Sequence, residues 1–170
     1  MEQCQAFSTI FDGSSRQLYN DVSILSNGNS VTVKALWDTG ATMSAISHSV
    51  ASDLNLISIG KQIVSTPTGK KEVTTHCVDV VLPNNVRFEG LIVIDSEIGS
   101  QLAGGKPIGM LVGMDIICHG DFAVTNHNGK TIFTYRCPST NSIDFVKQIQ
   151  VSKQIGPPHG KGNRKRKRKN

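Results

Sequence analysis

Two Asn-Gly dipeptides, each set between alternating β-branched runs, constrain this chain toward antiparallel sheet more than any other feature. Asn27-Gly28 separates "DVSIL" from "SVTVKALW", and Asn128-Gly129 lies at the bend of "DFAVTNHNGKTIFTYRCP". A tight hairpin turn needs positive φ at both central residues, and Asn and Gly accept it at low cost. Further runs repeat the pattern. "KQIV" and "EVTTHCVDVVL" flank the polar "STPTGKK", which reads as a hairpin with an exposed tip. "LPNNVRF" reads as a turn, "VRFEGLIVID" as a strand and "SEIGSQLAGGKP" as a loop. "IGMLVGMDIICHG" is apolar on both faces, as a buried strand would be, and breaks at Gly113 into a short helical turn. The 16 glycines suit a turn-rich β protein. The expected fold is a small closed or sandwiched β domain with short helices.

Helical signals are few. In "SHSVASDLNLI", Ile46, Val50 and Leu54 recur every four residues and Ser47 stands where a cap would. "TNSIDFVKQIQVSKQI" predicts an amphipathic helix over 141–154. Residues 1–17 read as a weakly patterned lead-in, 18–155 as one domain that includes this helix, and 156–170 as a disordered tail.

"ALWDTGATMSAIS", from Ala35 to Ser47, runs an apolar strand straight into an acid. Taking a carboxylate out of water without partners is costly. Asp38 is therefore either a capping residue or a group held where its proton can be used.

Composition narrows the chemistry. The net charge of +5 is concentrated at one end. The last ten residues, "KGNRKRKRKN", hold seven of the 18 Lys and Arg and no acid, which leaves 11 basic and 13 acidic residues elsewhere. The tail suits phosphate backbones or another anionic surface, or nuclear import in a eukaryote. It carries no aromatic residues for stacking on bases. Cys4, Cys77, Cys118 and Cys137 are widely spaced, suggesting neither a zinc site nor a disulfide framework and hence a reducing, cytoplasmic setting. His48, His76, His119, His127 and His159 show no metal-ligand spacing. "LAGGKP" lacks the spacing of a phosphate loop. No signal peptide is expected at the Met1 end, and no run approaches the ~18 apolar residues of a membrane span.

"DTGAT" after an apolar strand, with "LVGMD" about 70 residues later, resembles the retropepsin-like aspartic proteases over roughly Asp21 to Pro138. The resemblance implies a small closed β-barrel-like fold with short helices, and an endopeptidase with no metal or organic cofactor. It makes Asp38 the catalytic acid, with Thr39 and Gly40 shaping its loop. Thr39 would lock neighbouring loops together, and Gly40 would turn its N–H toward the carboxylates. Ala41 would line the substrate site, with Pro67, Thr68 and Gly69 at the tip of a flap. Leu111, Val112 and Gly113 would be structural support. Two carboxylates must share one proton, because like charges that close cannot both ionise. The chain has one Asp-Thr-Gly, so the second acid must be Asp38 of another copy, and a homodimer is implied. The alternative reading is a non-catalytic dimeric peptide-docking module whose basic tail recruits nucleic acid or anionic surfaces.

Overall fold

In the computed structural model, Asn27 and Gly28 have φ of 49° and 80°, and Asn128 and Gly129 have 51° and 72°. Both expected hairpin turns therefore form. The structure describes residues 4–66 and 69–155. Its strands are β1 (Gln5–Asp12), β2 (Tyr19–Ser26), β3 (Asn29–Trp37), β4 (Ala45–Ser47), β5 (Gly60–Thr66) and β6 (Gly69–Val81). They continue as β7 (Arg87–Ser96), β8 (Leu102–Ala103), β9 (Lys106–Val112), β10 (Asp121–His127) and β11 (Lys130–Cys137). The helices are α1 (His48–Asp53), α2 (Met114–Ile117) and α3 (Phe145–Ile155), with a 3-10 turn at Glu97–Ser100.

One sheet runs β2-β3-β9-β4-β7-β6-β5, and β6 also pairs with β2 through Ser23↔Val81, Ile24↔Val80 and Leu25↔Asp79. Six strands thus close into a barrel, and the β5–β6 hairpin projects from it. Closure removes sheet edges and encloses a core of Ile24, Ile46, Val80, Val93, Met110 and Val112, all fully buried. The hairpin connection at 67–68 lies outside the described residues.

A second, three-stranded sheet has the order β1-β11-β10. It joins the barrel through aromatic rings. Trp37 lies with ring centroids 5.0 Å from Phe133 and Tyr135 and 5.9 Å from Phe7 and Phe122. Its indole Nε1 donates to Asn20 Oδ1, and the Tyr135 hydroxyl donates to the Ile116 carbonyl at 2.8 Å. Burial pushes the Tyr135 hydroxyl far above its ordinary pKa, so it stays a donor.

Two boundaries differ from the sequence reading. Residues 5–12 are not a lead-in but a strand in full register with β11, from Gln5↔Cys137 to Asp12↔Lys130. Phe7 and Phe11 face inward, while the exposed Ile10 puts an apolar residue on the outer face and blurs the alternation. The chain also divides after Thr140. Helix α3 therefore stands in a unit of its own, outside the β domain in which its sequence was placed. Ser47 does cap α1, accepting from the Val50 amide.

Candidate active site

Residues 38–44 form a loop held from both sides by one strand. β9 runs parallel to β3, with Leu36↔Leu111 and Trp37↔Val112, and antiparallel to β4, with Ala45↔Leu111 and Ile46↔Met110. The Asp38 amide extends this ladder by donating to the Val112 carbonyl at 2.9 Å. Buried Trp37 fixes the end of β3, so the residue after it leaves the core at a set point. Asp38 is half-buried, and Thr39 and Gly40 are exposed.

Inside the loop, the Gly40 N–H donates to Asp38 Oδ1 at 2.8 Å, and the Ala41 amide donates to the Asp38 carbonyl at 3.2 Å. The turn thus aims a backbone donor at the carboxylate. A Cβ at Gly40 would lie 3.1 Å from Asp38 Oδ1 and would crowd the group it serves.

Gly113 is required by close approach rather than by backbone conformation. Its φ is −93°, open to any residue. A Cβ there would stand 2.7 Å from the Met43 carbonyl carbon, 2.8 Å from its oxygen and 3.0 Å from the Ala41 oxygen. All three are backbone atoms of the Asp38 loop, so no side chain can rotate away to make room. Val112 is fully buried and Leu111 half-buried against Ala45, Ile98 and Ile108.

Ser44 and Asp115 complete the loop, and the sequence reading assigned neither of them a role. Buried Ser44 donates its hydroxyl to Asp115 Oδ1 at 2.7 Å and its amide to Oδ2 at 2.8 Å. Its Oγ in turn accepts from the Gly113 amide at 3.0 Å, and the Met114 amide donates to the Ala41 carbonyl at 2.8 Å. One carboxylate on α2 therefore clamps the far end of the loop. The signal available was the Gly113-Met114-Asp115 spacing, an acid in the first turn of a short helix.

A cleft of about 450 Å³ opens between this loop and the β5–β6 hairpin. The loop contributes Gly40 to Met43, the hairpin Gln62 to Ser65 with Lys71 and Val73, and β7 Ile94 and Ser96. Ala41 lines it. Gly69 opens β6 at φ 127° and does not line it, while Pro67 and Thr68 lie outside the described residues. The apolar walls at Ile63, Val64, Val73 and Ile94 were not singled out by the sequence. Lys71 bonds Glu97 at 2.9 Å, tying the hairpin to the turn after β7 and holding the Glu97 carboxyl below its usual range.

His48 and His76 stand elsewhere. Buried His76 bonds the Ile57 carbonyl through Nδ1 at 3.0 Å, and His48 Nδ1 lies 2.5 Å from Asp95 Oδ1. Among the described residues no group of three His, Cys, Asp or Glu is placed to hold a metal ion. None of the helices described is long and apolar enough to cross a membrane.

A family model described as aspartyl protease matches residues 21–116, more than half of the chain. The chain belongs to the aspartyl protease family. No curated protein matches it. Among solved structures it is similar to a retropepsin-like aspartic protease from Rickettsia conorii, at 17% identity and a TM-score of 0.48, over 79% of this chain and 94% of that one. It is also similar to EIAV protease complexed with the inhibitor HBY-793, at 18% identity and a TM-score of 0.45, over 61% of this chain and 86% of that one. A third is the retroviral protease-like domain of Ddi1 from Leishmania major, at 20% identity and a TM-score of 0.40, over 71% and 95%. The matched segment contains Asp38, the whole cleft, and Gly113 with Asp115.

Proposed function

We propose that this chain is an aspartic endopeptidase that works as a homodimer, with one Asp38 from each copy. The observation that carries the reading is the Asp38 carboxylate itself. It sits on a loop clamped by β9 and α2, receives the Gly40 N–H, and adjoins a cleft with apolar walls. A capping residue would need none of the surrounding apparatus.

In the proposed mechanism the two Asp38 carboxyls face each other across a two-fold axis and share one proton. The ionised member takes a proton from a water molecule, which attacks the scissile carbonyl. The protonated member donates to that carbonyl's oxygen. The Gly40 N–H holds each carboxylate in plane, and the exposed Thr39 side chain is free to bond across to the other copy's loop. Residue 41 is Ala, so the loop offers the outer carboxylate oxygen no hydroxyl donor at that position.

The substrate lies extended in the cleft. Among the described residues β5 pairs with β6 alone, so its other edge offers unpaired backbone groups to an added strand. Ile63, Val64, Val73 and Ile94 would receive apolar side chains. β1 is already paired with β11 of its own chain, so this dimer need not exchange its first strand.

The test is cleavage of a diverse peptide mixture across about pH 4 to 7, read by mass spectrometry, with wild type beside Asp38→Asn. Wild-type cuts that vanish in the variant are the expected result. A folded dimer that makes no cuts would turn the reading to a peptide-docking module.

A further inference from the structure

We infer that His48, Asp95 and His76 form a proton-operated brace behind the cleft wall, which draws the wall together in mild acid and slackens it above neutrality. The inference goes beyond the proposed peptidase and does not depend on Asp38.

Three segments around the cleft meet at one carboxylate. Asp95 lies on β7 between Ile94 and Ser96, and both of these line the cleft. His76 lies on β6 beside Thr75, which pairs with Ile94. His48 opens α1 directly after β4, where Ile46 pairs with Asp95 and Ser47 with Ser96. The Ile94 amide donates to the Ser44 carbonyl at 3.1 Å, so the strand that bears Asp95 also holds the end of the Asp38 loop.

The one hydrogen bond of the His76 ring fixes its tautomer. A carbonyl oxygen can only accept, so the Nδ1 that bonds Ile57 carries the hydrogen. In the neutral ring Nε2 is then a bare lone pair. It is sealed from solvent, has no hydrogen-bond partner among the described residues, and lies 3.9 Å from Asp95 Oδ2. Two acceptors thus face each other in a buried place with no donor between them, which is costly to keep. On the other side of the carboxylate, His48 Nδ1 stands 2.5 Å from Oδ1, in contact but not aligned as a hydrogen bond, and Oδ1 is likewise buried. One proton on His76 Nε2 turns its lone pair into a charged donor facing Oδ2. A closing of about 1 Å between β6 and β7 then completes a charge-assisted bond. Imidazole is the side chain that changes charge between about pH 5 and 8, so ordinary changes of pH operate the brace.

The neighbouring charges are already engaged. Glu97 of the 3-10 turn faces His48 but is bonded to Lys71 of β6 at 2.9 Å. Lys61 of β5 is paired with Glu72 at 2.7 Å. Residues 54–59, which carry the Ile57 carbonyl, hold no ionisable side chain. Among the described residues Asp95 is the carboxylate that stands against both rings.

The experiment is nuclear magnetic resonance on the full chain, wild type and Asp38→Asn, from about pH 8 to 5. Imidazole nitrogen shifts read the tautomer and charge of His76. Hydrogen exchange of the Ile94 amide, corrected for the intrinsic effect of pH, reads the wall. Neutral His76 should carry its hydrogen on Nδ1. As Nε2 gains its proton, exchange at Ile94 should slow about tenfold, the effect of one hydrogen bond to a charged group. The slowing should be equal in Asp38→Asn, so it stands or falls apart from the peptidase reading. Asp95→Asn should abolish it. His76→Gln has no proton to gain, should abolish it too, and serves as the test if Asp95→Asn does not fold. A neutral ring with its hydrogen on Nε2 would overturn the inference. So would a His76 that stays neutral throughout, one that gains its proton with no change at Ile94, or a slowing that survives either variant.

Discussion

At the scale of single residues, the Asp38 loop is built from parts whose tolerances can be named. Gly113→Ala would drive a methyl group into the backbone at Met43 and Ala41. The cost should be ~1–3 kcal/mol of stability, the range for overpacking a tight contact. Peptide cleavage should fall further than stability, because the atoms displaced belong to the loop that carries Asp38. Chemical denaturation beside a cleavage assay checks both. Most of this loop was legible in the sequence, since an acid after an apolar strand and a glycine in a buried one are local signals. The clamp was not. Ser44 and Asp115 are 71 residues apart, and an acid at the start of a short helix reads first as a dipole partner. Only the fold shows that both its oxygens are spent on Ser44.

At the scale of elements, turns were easier to read than faces. Asn27-Gly28 and Asn128-Gly129 specify their own backbone, so the hairpins of β2–β3 and β10–β11 follow from four residues. β1 depends on a partner more than a hundred residues away, and with apolar side chains on both faces it gives no clean alternation. The same is true of α3, whose helical period was visible but whose separation from the β domain was not. The β1 assignment can be tested by asymmetry. Phe7→Ala removes a ring that lies 5.5 Å from Phe133 and 5.9 Å from Trp37, and should cost about 2–4 kcal/mol, near the lower end for buried phenylalanine. Ile10→Ala, on the exposed face of the same strand, should stay within about 0.5 kcal/mol. Equal effects in denaturant melts would contradict the strand's orientation.

At the scale of the whole molecule, acid stability has an identifiable source beneath the barrel. Asp121 accepts from the Ser139 hydroxyl at 2.6 Å and Arg136 Nε at 2.8 Å, which hold its carboxyl below the usual range. A lowered folded-state pKa stabilises the fold fully above the ordinary carboxylate pKa, and that contribution is lost as pH falls through the lowered value. Asp121→Asn should therefore destabilise the protein at neutral pH and flatten the acid limb of its stability curve, measured as melting temperature against pH. A working pH chosen for peptide cleavage must stay clear of that limb. The order in which the chain emerges during synthesis adds one more consequence. The amide of Asp38 waits for the carbonyl of Val112, and the first strand, β1, waits for the last, β11. Pairings this distant form late. A nascent chain on the ribosome therefore carries Asp38 long before it has the strand that holds its loop, and the order of translation itself leaves that loop unsupported until the domain is complete.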